Sequence, residues 1–353
     1  MKAAPTLLLF LTACAGARSN VVLVTIDGTR WQEIFGGADL RLLENKKETG
    51  EVQATRKAFW RETVEERRRA LAPFLWSTVA RQGQLIGNFD VGSQILVGNR
   101  FRISYPGYHE LLCGFPSETI DSNAKVPNPD VTVLEWLQGR EGFRDSVAAF
   151  CSWDVFPSIL NRERCGFPIE IGAGKADGSL LRRLSGDIPP PWHGSVFDAF
   201  VFHGAMEYLR EKRPRVLYLA FGDTDEWAHA GWYDHYLESI RREDGWLREL
   251  WETLQSMPEY AGNTTLLVTC DHGRGDNPGE WRSHNARVNG AGYVWVAAIG
   301  PRIAPAGEWS EHEPLLQGQV AATVAAAVWE DFNRENPKAA RPLPLMPRQL
   351  ITP

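Results

Sequence analysis

The stretch TTLLVTCDHGRG, at residues 264–275, decides the fold of this chain. Its first part, Thr264 to Thr269, is a short β-branched and aliphatic run that stops before a glycine-rich turn, which is typical of a buried parallel strand. Asp271 and His272 follow the run. Ligands of open α/β sheets bind at the carboxyl ends of strands, where an adjacent carboxylate and imidazole can hold a divalent metal. Taken alone, the pair is more simply interpreted as a turn cap, Asp271, followed by a polar loop residue, His272.

Two further apolar runs lead into acidic residues. The run NVVLVTIDG, residues 20–28, places Asp27 at the end of a predicted strand, although a lone aspartate there also fits a helix cap. A predicted strand over 215–221 leads into GDTDEWAH, residues 222–229. Within it, Asp225 and His229 stand four residues apart and therefore share one face of a helix. Asp223 lacks such a partner and is interpreted as a supporting residue behind the ligands.

Strands alternate with helices along the chain, which predicts an α/β three-layer sandwich with a mostly parallel sheet. We expect one catalytic domain over residues 18–353, with surface insertions near 36–55 and 166–191. The second insertion has little periodicity and is predicted to be a long loop or small cap. Helices are predicted over 56–81 and 316–332, and a strand over 293–299.

The parallel sheet brings the strand ends to one edge, so the chemistry-bearing residues are expected to meet there. Imidazole and carboxylate ligands suit zinc, with manganese as the alternative for an oxygen-rich site. Six ligands exceed one tetrahedral site, whereas two metals about 4 Å apart would use them all and accommodate a phosphoryl group. The six are Asp27, Asp225, His229, Asp271, His272 and His284.

The composition is that of a globular protein, with 353 residues, 43% hydrophobic and 23% charged. The formal net charge of −6, with both signs interspersed, gives no basic surface for nucleic acid. No nucleic-acid partner is therefore expected.

The first 17 residues are predicted to be a secretory signal. Lys2 precedes an apolar run from Leu7 to Leu11, which is too short to span a bilayer. The following LTAC resembles the lipobox of bacterial lipoproteins and would leave Cys14 as a lipid anchor, while residues 15–17 offer an ordinary cleavage site. We expect export to the periplasm, either soluble or membrane-anchored. In that oxidising compartment Cys151 and Cys165 are expected to be able to pair.

The motifs LVTIDG, SYPGYHELLCG, DTDEWAH, TCDHG and SH occur in this order and resemble the alkaline phosphatase superfamily. The likeness covers about residues 20–300 and is greatest to type I phosphodiesterases, nucleotide pyrophosphatases and related phosphatase-like members. It implies that Asp225, His229 and His284 hold one metal. It implies that Asp27, Asp271, His272 and the nucleophile hold the other.

The resemblance places Ser104 in the position of the family's nucleophile. A hydroxyl at a helix start is suited to this role, because a metal or base can activate it and the helix N-terminus stabilises a phosphoryl anion. The plain alternative is that Ser104 only caps the helix. Asn123, in the stretch DSN, looks like the family's phosphate-contacting Asn, and His109 is a candidate substrate contact or leaving-group acid.

Some positions depart from related patterns. Gly107 stands where nucleotide pyrophosphatases carry Asn, and Tyr108 stands where sulfatases carry the Arg needed for formylglycine formation. The arginine that clamps a phosphate monoester in phosphatases has no identifiable counterpart. We expect a metal-dependent hydrolase of small-molecule phosphate mono- or diesters that works through a phosphoseryl intermediate. The alternatives are a phosphonate or sulfate ester hydrolase with the same metals, and a catalytically silent binding protein of the cell envelope.

Overall fold

The computed structural model describes residues 18–174 and 179–346, so the predicted signal segment and Cys14 lie outside the described part. The strands are β1 (Asn20–Ile26), β2 (Gln84–Ile86), β3 (Ile95–Leu96), β4 (Val147–Cys151), β5 (Ile169–Ile171), β6 (Val216–Phe221), β7 (Thr264–Thr269), β8 (Tyr293–Val294), β9 (Val296–Ile299), β10 (Gly307–Glu308) and β11 (Leu315–Leu316).

Eight of these strands form the central sheet, in the order β10-β2-β9-β7-β1-β6-β4-β5. The block from β7 to β5 is parallel, and β9 runs antiparallel to both β7 and β2. Strand β1 lies between β7 and β6, and all its residues are buried, as its unbroken apolar sequence predicts. A second sheet has the order β11-β3-β8.

Helices flank the central sheet, which confirms the predicted α/β architecture. They are α1 (Trp31–Gly36), α2 (Leu40–Leu43), α3 (Val52–Phe59), α4 (Val64–Leu71), α5 (Ala80–Gln82), α6 (Ser104–Cys113), α7 (Val133–Gln138), α8 (Phe156–Ile159), α9 (Leu180–Asp187), α10 (Asp198–Lys212), α11 (Asp223–Ala230), α12 (Tyr233–Ser256) and α13 (Gln319–Ala327). Helix α10 packs against β4 and β6, and α13 packs against α6, α7 and β1. In the described ranges, none of the helices is both long and apolar enough to traverse a bilayer.

The single helix predicted over 56–81 is wrong, because the chain breaks there into α3, α4, a π turn and α5. Thr63 caps α4 by accepting from the Glu66 amide at 3.3 Å, and the Glu66 side chain accepts from the Thr63 hydroxyl. This N-cap starts a new helix at that point. Pro73 follows the end of α4 and disfavours helical backbone at the residue before it.

Other local expectations also need correction. The stretch 166–191 is not a structureless loop, because it contains β5 and α9, with residues 175–178 outside the described part. The strand predicted over 293–299 divides at the buried Trp295 into β8 and β9, which belong to different sheets. The C-terminal helix is shorter than predicted. Cys151 and Cys165, which could pair in an oxidising compartment, are both buried free thiols in the structure.

Candidate metal centre and cleft

Three neighbouring parallel strands deliver the acidic residues of the site to one sheet edge. Thr25 of β1 is in register with Thr269 of β7, and Ile26 is in register with Phe221 of β6. The chain leaves these strands at the same level, towards Asp27, Asp271 and the helix that carries Asp225. The sheet register therefore explains why residues so far apart in the sequence meet.

Asp27, Asp271 and His272 form the first donor group. Nε2 of His272 lies 3.4 Å from Oδ1 of Asp27 and 3.4 Å from Oδ2 of Asp271. The opposite nitrogen, Nδ1, lies 3.0 Å from the carbonyl oxygen of Gly273, so it is the donor and Nε2 is the free acceptor. The amide of Gly28 donates to Oδ1 of Asp271 at 3.1 Å. These hydrogen bonds orient the three donor atoms towards one another.

Asp225, His229 and His284 lie next to this group. Nε2 of His229 is 3.2 Å from Oδ2 of Asp225 and 2.9 Å from Nε2 of His284. Nδ1 of His284 is 3.2 Å from the carbonyl oxygen of Arg102, which leaves Nε2 of His284 as an acceptor. The rings of His272 and His284 stack at 3.7 Å, so His272 contacts both groups. Donor atoms of Asp225, His272 and His284 lie within 4.8 Å of one another and form a second donor group, to which His229 does not belong.

The carboxylates of the centre are electrostatically unequal. Burial, and then the charge of Asp225, raise the pKa of Asp27 well above its ordinary value, and burial with the charge of Asp27 does the same to Asp271. Burial also raises the pKa of Asp225, but Arg274 and the two nearby imidazoles outweigh it and hold that pKa well below its usual range. Burial and then His272 depress the pKa of His284, which favours its neutral, ligating form.

Arg274 is a site residue that the sequence analysis did not identify. Its buried guanidinium donates to the carbonyl oxygens of Gly28 and Arg282, at 3.1 and 2.6 Å, and to both the carbonyl and Oδ1 of Asp225. It thereby connects three of the segments that form the centre. The positive charge of Arg274 is also the main reason why the pKa of Asp225 is lowered while those of Asp27 and Asp271 are raised.

In protein stripped of divalent metals, we expect the free energy of unfolding to fall as pH rises from about 4. The reason is that Asp27 and Asp271 retain protons in the folded state that the unfolded chain releases, so raising the pH favours unfolding until both folded-state pKa values are passed. Urea unfolding at a series of pH values, in chelator, measures this slope. The metal-saturated protein is the control and should lack it, whereas a flat profile in chelator would contradict the pKa assignment.

Ser104 begins α6 and lies beside the first donor group. Its Oγ is 3.3 Å from Nε2 of His272, and its side chain is buried except where it lines the cleft. The close approach depends on Gly107, because a Cβ at that position would lie only 2.4 Å from the carbonyl oxygen of Asp271. The departure from the pyrophosphatase pattern at Gly107 therefore lets helix α6 pack directly on the Asp271 backbone.

Tyr108, on the next turn of α6, donates its hydroxyl to Oδ2 of Asp27 at 2.9 Å. Removing that hydroxyl in Tyr108→Phe is expected to lower divalent-metal affinity by about 10- to 100-fold, because outer partners orient metal ligands. Metal titration by calorimetry measures the change. The matched control is Tyr105→Phe, whose hydroxyl donates instead to the carbonyl oxygens of Val126 and Ser158. Equal metal affinity in the two variants would contradict the role of Tyr108.

The donor groups and Ser104 open into a cleft of about 180 Å³. Asn123 lines it, and its amide oxygen accepts from the Tyr105 amide at 3.0 Å, so the NH₂ end is the one left to donate.

Trp153, Ser195 and Glu226 form the other wall of the cleft. Burial and the charge of Asp225 raise the pKa of Glu226 to about 7. Glu226 adjoins Asp225 in the motif DEWAH, and this adjacency is the signal that could have identified it.

His109 is not part of the cleft lining. It is fully buried further along α6, where its Nε2 lies 2.9 Å from Oδ2 of Asp130 and its ring packs against Phe115. Asp223, interpreted above as a supporting residue, is the first residue of α11. Its carboxylate contacts Arg242 and accepts a hydrogen bond from the backbone amide of Asp198, the first residue of α10. Its position is that of a residue that holds the helix carrying Asp225.

The type I phosphodiesterase / nucleotide pyrophosphatase family matches the chain over residues 39–291. The chain belongs to this family. Its place in the alkaline phosphatase superfamily, which the motifs suggested, is thereby confirmed. No curated protein sequence matches this phosphodiesterase-family chain.

Solved structures with the same fold belong to several branches of the superfamily. A phosphonate monoester hydrolase from Silicibacter pomeroyi has 13% identity and a TM-score of 0.57, over 92% of this chain and 76% of its own. A 2-O GAG sulfatase has 12% identity and a TM-score of 0.58, over 92% and 73%. An alkaline phosphatase superfamily protein from Vibrio parahaemolyticus has 13% identity and a TM-score of 0.52, over 90% and 67%. At these identities the likeness establishes the fold of the phosphodiesterase-family chain and not its substrate.

Proposed function

We propose that the chain is a two-metal hydrolase of phosphate mono- or diesters that works through a phosphoseryl intermediate on Ser104. The observation that carries the proposal is the position of the Ser104 hydroxyl. It begins a helix, lies 3.3 Å from a free imidazole nitrogen of the first donor group, and opens into the cleft that the second group also lines. Membership of a phosphodiesterase family supports ester hydrolysis by this arrangement.

The donor groups fit divalent metal ions. Oδ1 of Asp27 and Oδ2 of Asp271 are buried, and neither has a hydrogen-bond partner. Both face Nε2 of His272, and on the other side two imidazole nitrogens face each other at 2.9 Å. Buried carboxylate oxygens without a partner are costly unless a cation compensates them. Asp27, Asp271, His272 and Ser104 would hold one metal, and Asp225, His229 and His284 the other, with zinc favoured by the nitrogen-rich second set.

The proposed reaction has two displacements on phosphorus. In the first, the bond between Ser104 Oγ and phosphorus forms while the bond to the leaving alcohol oxygen breaks, and the alcohol departs with a proton. In the second, a water oxygen binds phosphorus, the bond to Oγ breaks, and Ser104 recovers its proton. When bound, the metals supply positive charge that acidifies the attacking hydroxyl and stabilises the phosphoryl oxygens. The N-terminus of α6 adds the positive end of its helix dipole beside the phosphoryl anion. Its amides contribute little more, because those of Tyr105 and Gly107 already donate to Asn123 and Ile103 and Pro106 has none.

Asn123 is proposed to donate its NH₂ group to a phosphoryl oxygen. Its replacement by alanine is expected to lower kcat by about 10²- to 10³-fold, the usual effect of removing one donor to developing negative charge. Steady-state kinetics on a nitrophenyl ester measures this. Asn123→Asp is the matched comparison, because it keeps the acceptor for the Tyr105 amide but replaces the donor by an anion. A kcat near that of the wild type in both variants would remove Asn123 from the mechanism.

A hydrolysis panel on metal-loaded protein tests the proposal as a whole. It comprises nitrophenyl phosphate, bis-nitrophenyl phosphate, a phosphonate monoester and a sulfate ester. Turnover of a phosphate ester with metal dependence is the expected result. Preference for the phosphonate or the sulfate would favour the alternative ester hydrolases. No turnover, together with near-zero bound zinc and manganese, would favour a silent envelope binding protein.

We also propose that the protein is exported, through the signal in residues 1–17, and reaches the periplasm or is anchored by lipid on Cys14. The support is the sequence pattern alone. Mass spectrometry of the mature N-terminus tests both parts, because lipidation leaves a modified Cys14 as the first residue.

A further inference from the structure

Buried carboxyl groups from three helices come together where α11 begins. Asp198 is the first residue of α10, Asp223 is the first residue of α11, and Glu243 lies on α12. At most 2% of the surface of each residue is exposed. None of the three belongs to the donor groups or lines the cleft. The cluster is thus a feature to which the proposed reaction assigns no role.

Asp198 joins the starts of α10 and α11. Its Oδ1 accepts a hydrogen bond from the Gly222 amide at 2.8 Å, and its Oδ2 accepts one from the Asp223 amide at 2.7 Å. Asp223 in turn accepts from the Asp198 amide at 3.2 Å, and its other oxygen contacts the Arg242 guanidinium at 3.3 Å. Both aspartates can therefore be ionised, because each of their oxygens faces a donor.

Glu243 differs from the two aspartates because no donor faces it. Within the described ranges, neither of its side-chain oxygens has a hydrogen-bond partner. An ionised carboxylate is costly in such a place, whereas the protonated acid needs only an acceptor for its O–H. Burial raises the pKa of Glu243 well above its ordinary value, the charges of Asp198 and Asp223 raise it further, and Arg242 opposes them only in part. Hydrogen bonding and electrostatics both indicate a neutral carboxylic acid.

The acceptor for that acid is Asp198, the charged group that acts on Glu243 most strongly. Asp198 can take a third hydrogen bond, because an ionised carboxylate has about four lone-pair positions. Such a bond would hold the Asp198 carboxylate against the two amides at the point where the chain turns from β6 into α11.

We propose that Glu243 is a positioning residue, which as a neutral acid donates a hydrogen bond to Asp198 and thereby fixes the start of α11. Asp198 passes the constraint to the first amides of the helix. Asp225 and His229 are the third and seventh residues of α11, so the helix start sets where these two side chains lie. The inference rests on the proposed two-metal function, because it concerns the ligands of one of the metals.

Calorimetric titration of zinc into metal-free, full-length protein tests this role with a pair of variants. Glu243→Gln keeps the shape of the side chain and an N–H donor, so its zinc affinity should stay close to that of the wild type. Glu243→Leu stays apolar and buried but has no donor, so zinc affinity should fall by about tenfold, the smaller end of the effect of an outer partner. The control is Glu249→Gln, at an exposed position on the same helix, which should bind zinc as the wild type does.

Infrared spectra of the metal-loaded protein at neutral pH give a readout that a packing role would not change. The wild type and Glu249→Gln should show the carbonyl band of a protonated carboxylic acid. The difference spectrum between the wild type and Glu243→Gln should show the loss of this band. Its absence from the difference spectrum would overturn the inference.

The titrations can overturn the inference independently. An equal loss of zinc affinity in Glu243→Gln and Glu243→Leu would mean that the charge of Glu243 is required, and wild-type affinity in Glu243→Leu would leave only a packing role. If Glu243→Leu does not fold, Asp198→Asn takes its place, because it loses one of the two acceptors at the helix start and should also bind zinc about tenfold more weakly. Either failure leaves the proposed function standing, whereas a wild type that binds no divalent metal would refute that function and the positioning role with it.

Discussion

Replacing Ser104 by alanine is expected to abolish turnover while leaving metal content intact. The hydroxyl is the only group of the serine lost, and it forms the covalent bond to phosphorus in the proposed mechanism. Loss of a nucleophile in enzymes that use one lowers kcat on the order of 10⁴- to 10⁶-fold. Steady-state kinetics on nitrophenyl esters, paired with metal analysis of the same preparation, measures both quantities.

The control for this variant is Ser256→Ala, at the exposed C-terminal end of α12, which should behave as the wild type. A second measurement separates the covalent mechanism from direct attack by water. Acid quenching during turnover should trap phosphate on the wild-type chain and none on Ser104→Ala. Substantial residual turnover in Ser104→Ala would refute the assignment of the nucleophile.

The second large effect is expected at Asp271, where one substitution should act in opposite directions with and without metal. Asp271→Asn removes a charged ligand, so metal affinity should fall by about 100-fold or more, beyond the effect of an outer partner. In chelator, the same change removes a buried carboxylate that faces Asp27, and the free energy of unfolding should rise by roughly 1–3 kcal/mol. Calorimetric metal titration and urea unfolding measure the two effects.

Metal removal from the wild type should itself abolish activity, and added zinc or manganese should restore it.

The control for Asp271→Asn is Asp276→Asn, at an exposed position five residues further on, which should change neither metal affinity nor stability. If Asp271→Asn bound metal as tightly as the wild type, the residue would not be a ligand. If it were less stable than the wild type in chelator, the electrostatic account of the two aspartates would be wrong.

The centre of the fold was predictable because its signals are local. Strand β7 matches its predicted bounds and β1 ends at Ile26, just before Asp27, so parallel pairing places the residues that follow both strands at one edge. The sequence alone therefore predicts that Asp27 and Asp271 lie in a common region. The helix that carries Asp225 and His229 could be recognised in the same way, from the spacing of the two residues.

The remainder depended on contacts that one segment alone does not specify. Arg274 became part of the site because three carbonyl groups from separate segments converge on its guanidinium. Trp153 and Ser195 form one wall through a bridge between residues far apart in the sequence. His109 was misleading because proximity to Ser104 along α6 does not mean proximity to the cleft. Its ring lies against Phe115 and Asp130 instead.

The central position of β1 has a consequence for how the protein is made. Val21 pairs with Val216 and Asn20 with Thr264, so strand β1 completes its pairing only when β7, more than 240 residues later in the chain, has emerged. Pairings of such large sequence separation are slow to form, and they leave apolar strands open to aggregation in the interim. Asp27 and Asp271 reach each other only after this closure. Metal uptake is therefore expected to be a late event in maturation, and a nascent chain would need protection until residue 269 has been translated.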